Sequence, residues 1–111
     1  MGGRGRNSER YYLHWGKQGK HIPGHNNYGE GKSIITVSKE HLIELFNVFR
    51  GTGEFHGNKE VVDFGEIIGV YIDGETGEAI ETTRGTIHYK NDGGWHIVPA
   101  QPWQKGENNV K

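Results

Sequence analysis

Between Val61 and Pro99, glycines at positions 65, 69, 74, 77, 85, 93 and 94 cut the chain into pieces of at most seven residues. Pieces that short cannot hold a stable helix, because helix nucleation fixes several residues before any hydrogen bond rewards it. They do match the usual strand length of about five or six residues. Their content agrees. VVDF (61–64) and EIIGVYID (66–73) read as strands, or as one long strand bent at Gly65. EAIETTRGTIHYK (78–90) reads as a long strand with Gly85 as a bulge, and WHIVP (95–99) as the strand that returns. GETG (74–77) and NDGG (91–94) are turn signals. Only SKEHLIELFNVFR (38–50) carries a helical period, with Leu42, Leu45, Phe46 and Phe49 on one face. Ser38 is placed to cap it and Gly51 to stop it, while His41 and Glu44 lie off the apolar stripe. The fold class expected is α+β: an irregular or helical N-terminal region and one firm helix packed on a three- to four-stranded antiparallel meander.

A chain of 111 residues makes one domain, and with 32% apolar residues and nineteen glycines the packed part is smaller than the chain. We expect a flexible basic arm over residues 1–10, one domain over 11–103, anchored first by the aromatic cluster YYLHW (11–15), and a polar tail over 104–111. No apolar run is long enough to span a membrane, and no signal-peptide pattern opens the chain. The absence of cysteine excludes disulfides and thiolate metal sites, which fits a reducing cytosol as the place of action. The opening MGGRG is what a free-standing gene product would show, and an excised domain with a new start Met would look the same.

The formal net charge of −1 hides an asymmetry. Residues 1–39 hold seven Lys/Arg against two Asp/Glu, and residues 40–111 hold six against twelve. A basic patch beside an acidic body attracts a polyanion locally without making the whole surface a nucleic-acid binder. The basic half contains GKQGKHIPGHNNYGEGK (16–32), with two histidines and five glycines. Pro23-Gly24 forbids a continuous helix there, so an irregular, positioned loop is expected.

Strand alternation puts Thr82, Arg84, Thr86 and His88 on one face, and Thr83, Ile87 and Tyr89 on the other. The hairpin turn decides where His96 goes. A two-residue turn at Asp92-Gly93 pairs it with Tyr89. A three-residue loop at 92–94 with a glycine bulge pairs it with Lys90, and buries Trp95 and Ile97 together with Tyr89 and Ile87. The second register is preferred, because a one-residue slip would forfeit the burial of a large aromatic. The open face then carries Arg84, Thr86, His88, Lys90 and His96. If loop 16–32 folds over it, Lys20, His21 and His25 join the same place.

Imidazoles titrating near neutrality, flanked by Lys and Arg without carboxylates, suit metal-independent RNA cleavage. One His takes the proton of the ribose 2′-OH and another gives one to the leaving 5′-oxygen, while Arg, Lys and Thr hold the phosphorane charge. DNA, lacking the 2′-OH, would be spared. Catalysis is expected of His21 with His88 or His96, and Tyr89 would support His88 from behind or touch substrate. Lys20, His25, Arg84, Thr86 and Lys90 would bind it. No metal or other cofactor is expected: the spacing of His21 and His25 suits zinc only on one continuous helix, and a hard cation would want carboxylates. His14, His41 and His56 read as structural. The competing class is a non-catalytic module that holds an RNA or protein partner on the same basic face.

KHIPGHNNY (20–28), GTGE (51–54), KEVVDFGEIIGVYID (59–73), TGEAIETTRGTIHYK (76–90) and HIVPAQP (96–102) resemble the bacterial polymorphic toxin type-50 domain. The resemblance covers roughly residues 14–102. It implies a ribonuclease of the barnase, EndoU, colicin and RelE-like fold, with N-terminal helical or irregular structure followed by a four-stranded antiparallel sheet. It also implies metal-free RNA cleavage and a cognate immunity protein. The family's early histidine matches His21, its strand pair matches His88, Tyr89 and His96, and its strand threonine matches Thr82 or Thr83. This chain has His25 where the family often has Thr, and Lys90 where a Ser commonly follows. Such domains end secreted toxins and also occur in phage structural gene clusters.

Overall fold

The computed structural model describes residues 10–102. The arm expected over 1–10 (apart from Arg10) and the tail over 104–111 lie outside the described residues. In chain order the elements are β1 (Tyr12–Leu13), α1 (Trp15–Gln18), a 3-10 turn (Gly19–His21), β2 (Ile34–Ile35), α2 (Lys39–Phe49), β3 (Glu54–His56), β4 (Lys59–Asp63), β5 (Gly69–Ile72), β6 (Ala79–Thr82), β7 (Arg84–Tyr89) and β8 (Gly94–Pro99). The α+β class stands, but the single meander does not. A five-stranded sheet runs β1-β8-β7-β4-β3, with β1 parallel to β8 and the other pairs antiparallel. A separate three-stranded antiparallel sheet runs β2-β5-β6.

The helix forms where the 3.6 period places it. Ser38 Oγ accepts the His41 N–H, closing the first turn, and Leu42, Leu45 and Phe46 are buried. Phe46 lies flat on Trp95, ring centroids 3.9 Å apart and 6° from parallel, so the helix covers the sheet face that presents Trp95, Ile97, Ile87 and Val62. The stack adds about 0.5–1.5 kcal/mol to the burial of the two rings.

Two sheets form because the expected strand 78–90 is broken at Thr83. The buried Thr82 hydroxyl donates to the Ala100 carbonyl at 2.7 Å and accepts the Arg84 N–H at 3.0 Å. A side chain that satisfies the backbone in this way competes with the ladder and ends it. Gly85, expected as a bulge, instead pairs regularly with Val62 and Pro99. It is needed for close packing: a Cβ there would stand 2.9 Å from Ile68 Cδ1 and 3.0 Å from Ile97 Cγ2.

The hairpin loop is three residues long and holds a glycine bulge, as preferred, but it begins one residue earlier. Lys90 N donates to Gly94 O and Gly93 N to Lys90 O, so the loop is Asn91-Asp92-Gly93. Gly93 takes φ +95°, and a Cβ on it would strike the Arg10 carbonyl oxygen. Tyr89 therefore pairs with Trp95, and His88, not Lys90, pairs with His96. No helix among the described residues is long and apolar enough to cross a membrane.

Candidate active site

The face of β7 and β8 turned away from α2 carries His88 and His96 side by side. Their ring centroids are 4.7 Å apart and their planes 17° from parallel. His21 joins from the N-terminal segment, 6.4 Å from His96 and 14° from parallel. The three rings thus form one row, His21–His96–His88.

What brings His21 there is Gln18. Its side chain is fully buried, donates to the Ile97 carbonyl at 2.7 Å and accepts the Ile97 N–H at 2.7 Å. β1 bonds the same edge of β8 one step earlier, through Tyr12 N to Gly93 O and His14 N to Trp95 O. Gln18 continues that ladder with a side chain. The chain between them turns through α1, whose N-cap is His14: its Nδ1 accepts the Lys17 N–H. The 3-10 turn then delivers His21, whose Nδ1–H donates to the Ser33 carbonyl at 2.8 Å. That contact fixes the tautomer and leaves Nε2 as the basic nitrogen.

All three imidazoles titrate below the ordinary histidine value, each chiefly because burial penalises the charged form. For His21, Lys32 and Lys20 add to the effect and the Ser33 carbonyl opposes it. For His88, Lys59, His21 and Lys17 add to it. His96, flanked by both other rings, is pushed down to about 3. Two imidazolium charges 4.7 Å apart would repel by about 3–4 kcal/mol at an effective dielectric constant of about 20. His88 and His96 therefore do not carry a proton at the same time.

Of the other residues singled out from sequence, Lys20 is exposed next to His21, and its charge bears on that ring. Thr86 and Arg84 follow His88 on the same face, about 7 Å and 13 Å along the strand. Arg84 Nη1 reaches the Gln101 carbonyl. Five residues are placed elsewhere. Tyr89 points to the helix side, where its hydroxyl donates to Oε1 of the fully buried Glu60 at 2.6 Å, and burial and that carboxylate raise its pKa well above the usual phenol range. It does not stand behind His88, because consecutive strand residues face opposite ways. His25 packs its ring edge-on to Trp15 and over Gly19, and its Nδ1 accepts the Asn27 N–H. Lys90 sits at the hairpin tip beside Asp92. Thr82 is buried in the strand break, with Thr83 beside it lending its carbonyl to Phe64 N. Sequence reasoning missed Lys59 and Lys17. Lys59 lies directly opposite His88 in the β4–β7 pair; carrying the alternation of VVDF two residues back would have found it. Lys17 had no local signal.

Among the described residues, no group of three His, Asp or Glu side chains has the geometry to hold a metal ion. The model of one family, bacterial toxin 50, matches residues 13–99, a span that includes β8 and every imidazole of the row. The chain belongs to the bacterial toxin 50 family. No curated protein matches it. The toxin 50 match begins at Leu13, the last residue of β1, and ends at Pro99, the last of β8. The toxin 50 unit is thus the five-stranded sheet with everything threaded between its first two strands in space.

Proposed function

We propose that this toxin 50 domain is a metal-independent endoribonuclease. The observation that supports the reading is the row His21–His96–His88, assembled from segments far apart in sequence on a face whose nearby charges are lysines. In the reaction the ribose 2′-oxygen attacks phosphorus while its proton passes to a neutral imidazole. His21 suits that role, since its Nδ1 is engaged and Nε2 is basic. The P–O5′ bond breaks as a second imidazole gives its proton to O5′, leaving a 2′,3′-cyclic phosphate and a 5′-hydroxyl. Burial and the two neighbouring rings weigh most heavily against the charged form at His96, so His88 takes that role, and the bound phosphate anion favours its protonated form. Lys20, Lys17 and Lys59 hold the charge developing on phosphorus. Arg84 and Thr86 contact the strand farther along the face. The RNA would be met in the cytoplasm of a bacterial cell, and a producing cell would need an immunity protein.

The test is incubation with RNA in EDTA, reading the ends. Cyclic phosphates with intact DNA are expected, and His21→Ala or His88→Ala should slow cleavage about 100-fold or more. No cleavage at protein concentrations near that of the substrate sinks the reading.

One observation favours a second reading, a binding module without catalysis: all three imidazoles are held neutral and stacked, as a packed polar layer would be. Expression in a bacterial cell separates the two. A ribonuclease arrests growth and His21→Ala relieves the arrest; a binding module is tolerated in both forms.

A further inference from the structure

On the opposite side of the hairpin from the imidazole row, the chain builds a cleft of about 850 Å3 that no step of the proposed cleavage uses. It lies between the C-terminal end of α2, the β3–β4 turn, the β7–β8 loop and the chain leading into β1. Its walls include Tyr11, Tyr12, Phe55 and Tyr89, with Arg10, Arg50 and Lys90 among them. The rings are ordered. Phe55 and Tyr89 lie 6.1 Å apart and 23° from parallel, Tyr89 is locked by Glu60, and the Arg50 guanidinium sits 4.8 Å over the Tyr11 ring. Phe55 stands on a three-residue edge strand with 54% of its surface exposed, and Tyr12 is 45% exposed. A phenylalanine on a sheet edge gains little from burial and invites misassembly, so an exposed one calls for an occupant. The cleft's acid is already engaged: the Asp92 carboxylate accepts the Tyr12 hydroxyl at 2.8 Å and the Gly94 N–H at 3.0 Å.

Open aromatic faces interleaved with lysine and arginine are the chemistry that holds single-stranded nucleic acid, rings stacking on bases and cations tracking phosphates. We propose that this cleft is a base-stacking subsite for single-stranded RNA, continuous with the imidazole row. The continuity follows from alternation. His88 and Tyr89 are neighbours on β7 with side chains on opposite faces, so a strand rounding this end of the sheet meets rings on one side and imidazoles on the other. The subsite rests on the ribonuclease reading for its connection to cleavage, but not for its ability to bind.

Binding is therefore measured apart from cleavage. A fluorescein-labelled single-stranded RNA of about ten nucleotides, with 2′-O-methyl sugars that cannot be cut, is titrated with wild type, Phe55→Ala and Phe55→Tyr, and anisotropy is read at low salt. Far-ultraviolet circular dichroism checks that the variants fold. The expected result is a loss of about tenfold or more in affinity for Phe55→Ala and retention for Phe55→Tyr, because loss of one stacked base has that size. An oligomer of equal charge with abasic sugars should bind wild type no better than the intact RNA binds Phe55→Ala. Equal affinity of wild type and Phe55→Ala, or binding by neither, overturns the subsite and leaves the surface to a protein partner. Cleavage of ordinary RNA by wild type together with that result would sink the subsite alone. Phe55-dependent binding without cleavage would keep the subsite and sink the ribonuclease.

Discussion

At the scale of single residues, the His88–His96 part of the imidazole row was legible from strand parity alone, while His21, on a turn, was not. The register read from sequence paired His96 with Lys90, and the structure pairs it with His88. A shift of two residues leaves every side chain on its own face, so the grouping of His88 with His96, and of Trp95 with Ile97 and Tyr89, survives the wrong partner. Thr82 fails for the opposite reason: alternation was carried through a point where the threonine's own hydroxyl ends the strand. Glu60 had no signal at all, because a carboxylate in a strand reads as an outward residue. In the structure it is fully buried, taking the Tyr89 hydroxyl at Oε1 and the Gly53 N–H at Oε2. Glu60→Ala leaves both donors without an acceptor and should destabilise the domain by about 1–3 kcal/mol. Urea denaturation reads this, and an unchanged midpoint would contradict the buried bridge.

At the scale of elements, α2 and the β7–β8 hairpin were readable because each is specified by neighbours in the chain: a cap, an apolar stripe, a glycine at the left-handed turn position. The two-residue strands β1 and β2 were not, since two residues carry no period. β1 takes its identity from a parallel pairing with β8 some 80 residues away. Gln18 is the matching case among side chains. Nothing in WGKQGK marks that glutamine as different from a surface residue, yet its amide is the last rung on the β8 edge. Gln18→Ala should strand the Ile97 N–H and carbonyl, costing about 1–3 kcal/mol per group. It should also release the turn that holds His21, so cleavage should fall further than the lost stability explains. Thermal melting and cleavage rates measured well below the melting temperature separate the two effects. A rate loss no larger than the unfolded fraction would show that Gln18 does not position His21.

At the scale of the whole molecule, the row makes stability depend on pH. His21, His88 and His96 all have folded values below the unfolded one of 6.5. The unfolded chain therefore binds more protons as pH falls through 6.5, and the stability these groups contribute, complete above that pH, is lost on acidification. His41 works the other way. Glu44, at 3.0 Å, and Glu66, at 2.6 Å, raise its value, so its contribution is present below 6.5 and fades as pH rises through the folded value. Three groups oppose one exposed one, so melting temperature should drop between pH 6.5 and about 5, before most carboxylates titrate. His96→Gln should flatten that slope; a slope unchanged by the substitution would mean that His96 is not held neutral by its neighbours. The same balance of local and distant forces divides what could be known beforehand. The sequence by itself determined the helix, the turns and the side of the sheet on which His88 and His96 stand, because periodicity and backbone preference act between residues a few positions apart. Only the tertiary structure decided that the chain forms two sheets rather than one, and that His21 reaches His96 while His25 turns elsewhere. Those outcomes depend on which of many distant backbone groups a given side chain satisfies, and no local pattern encodes that choice.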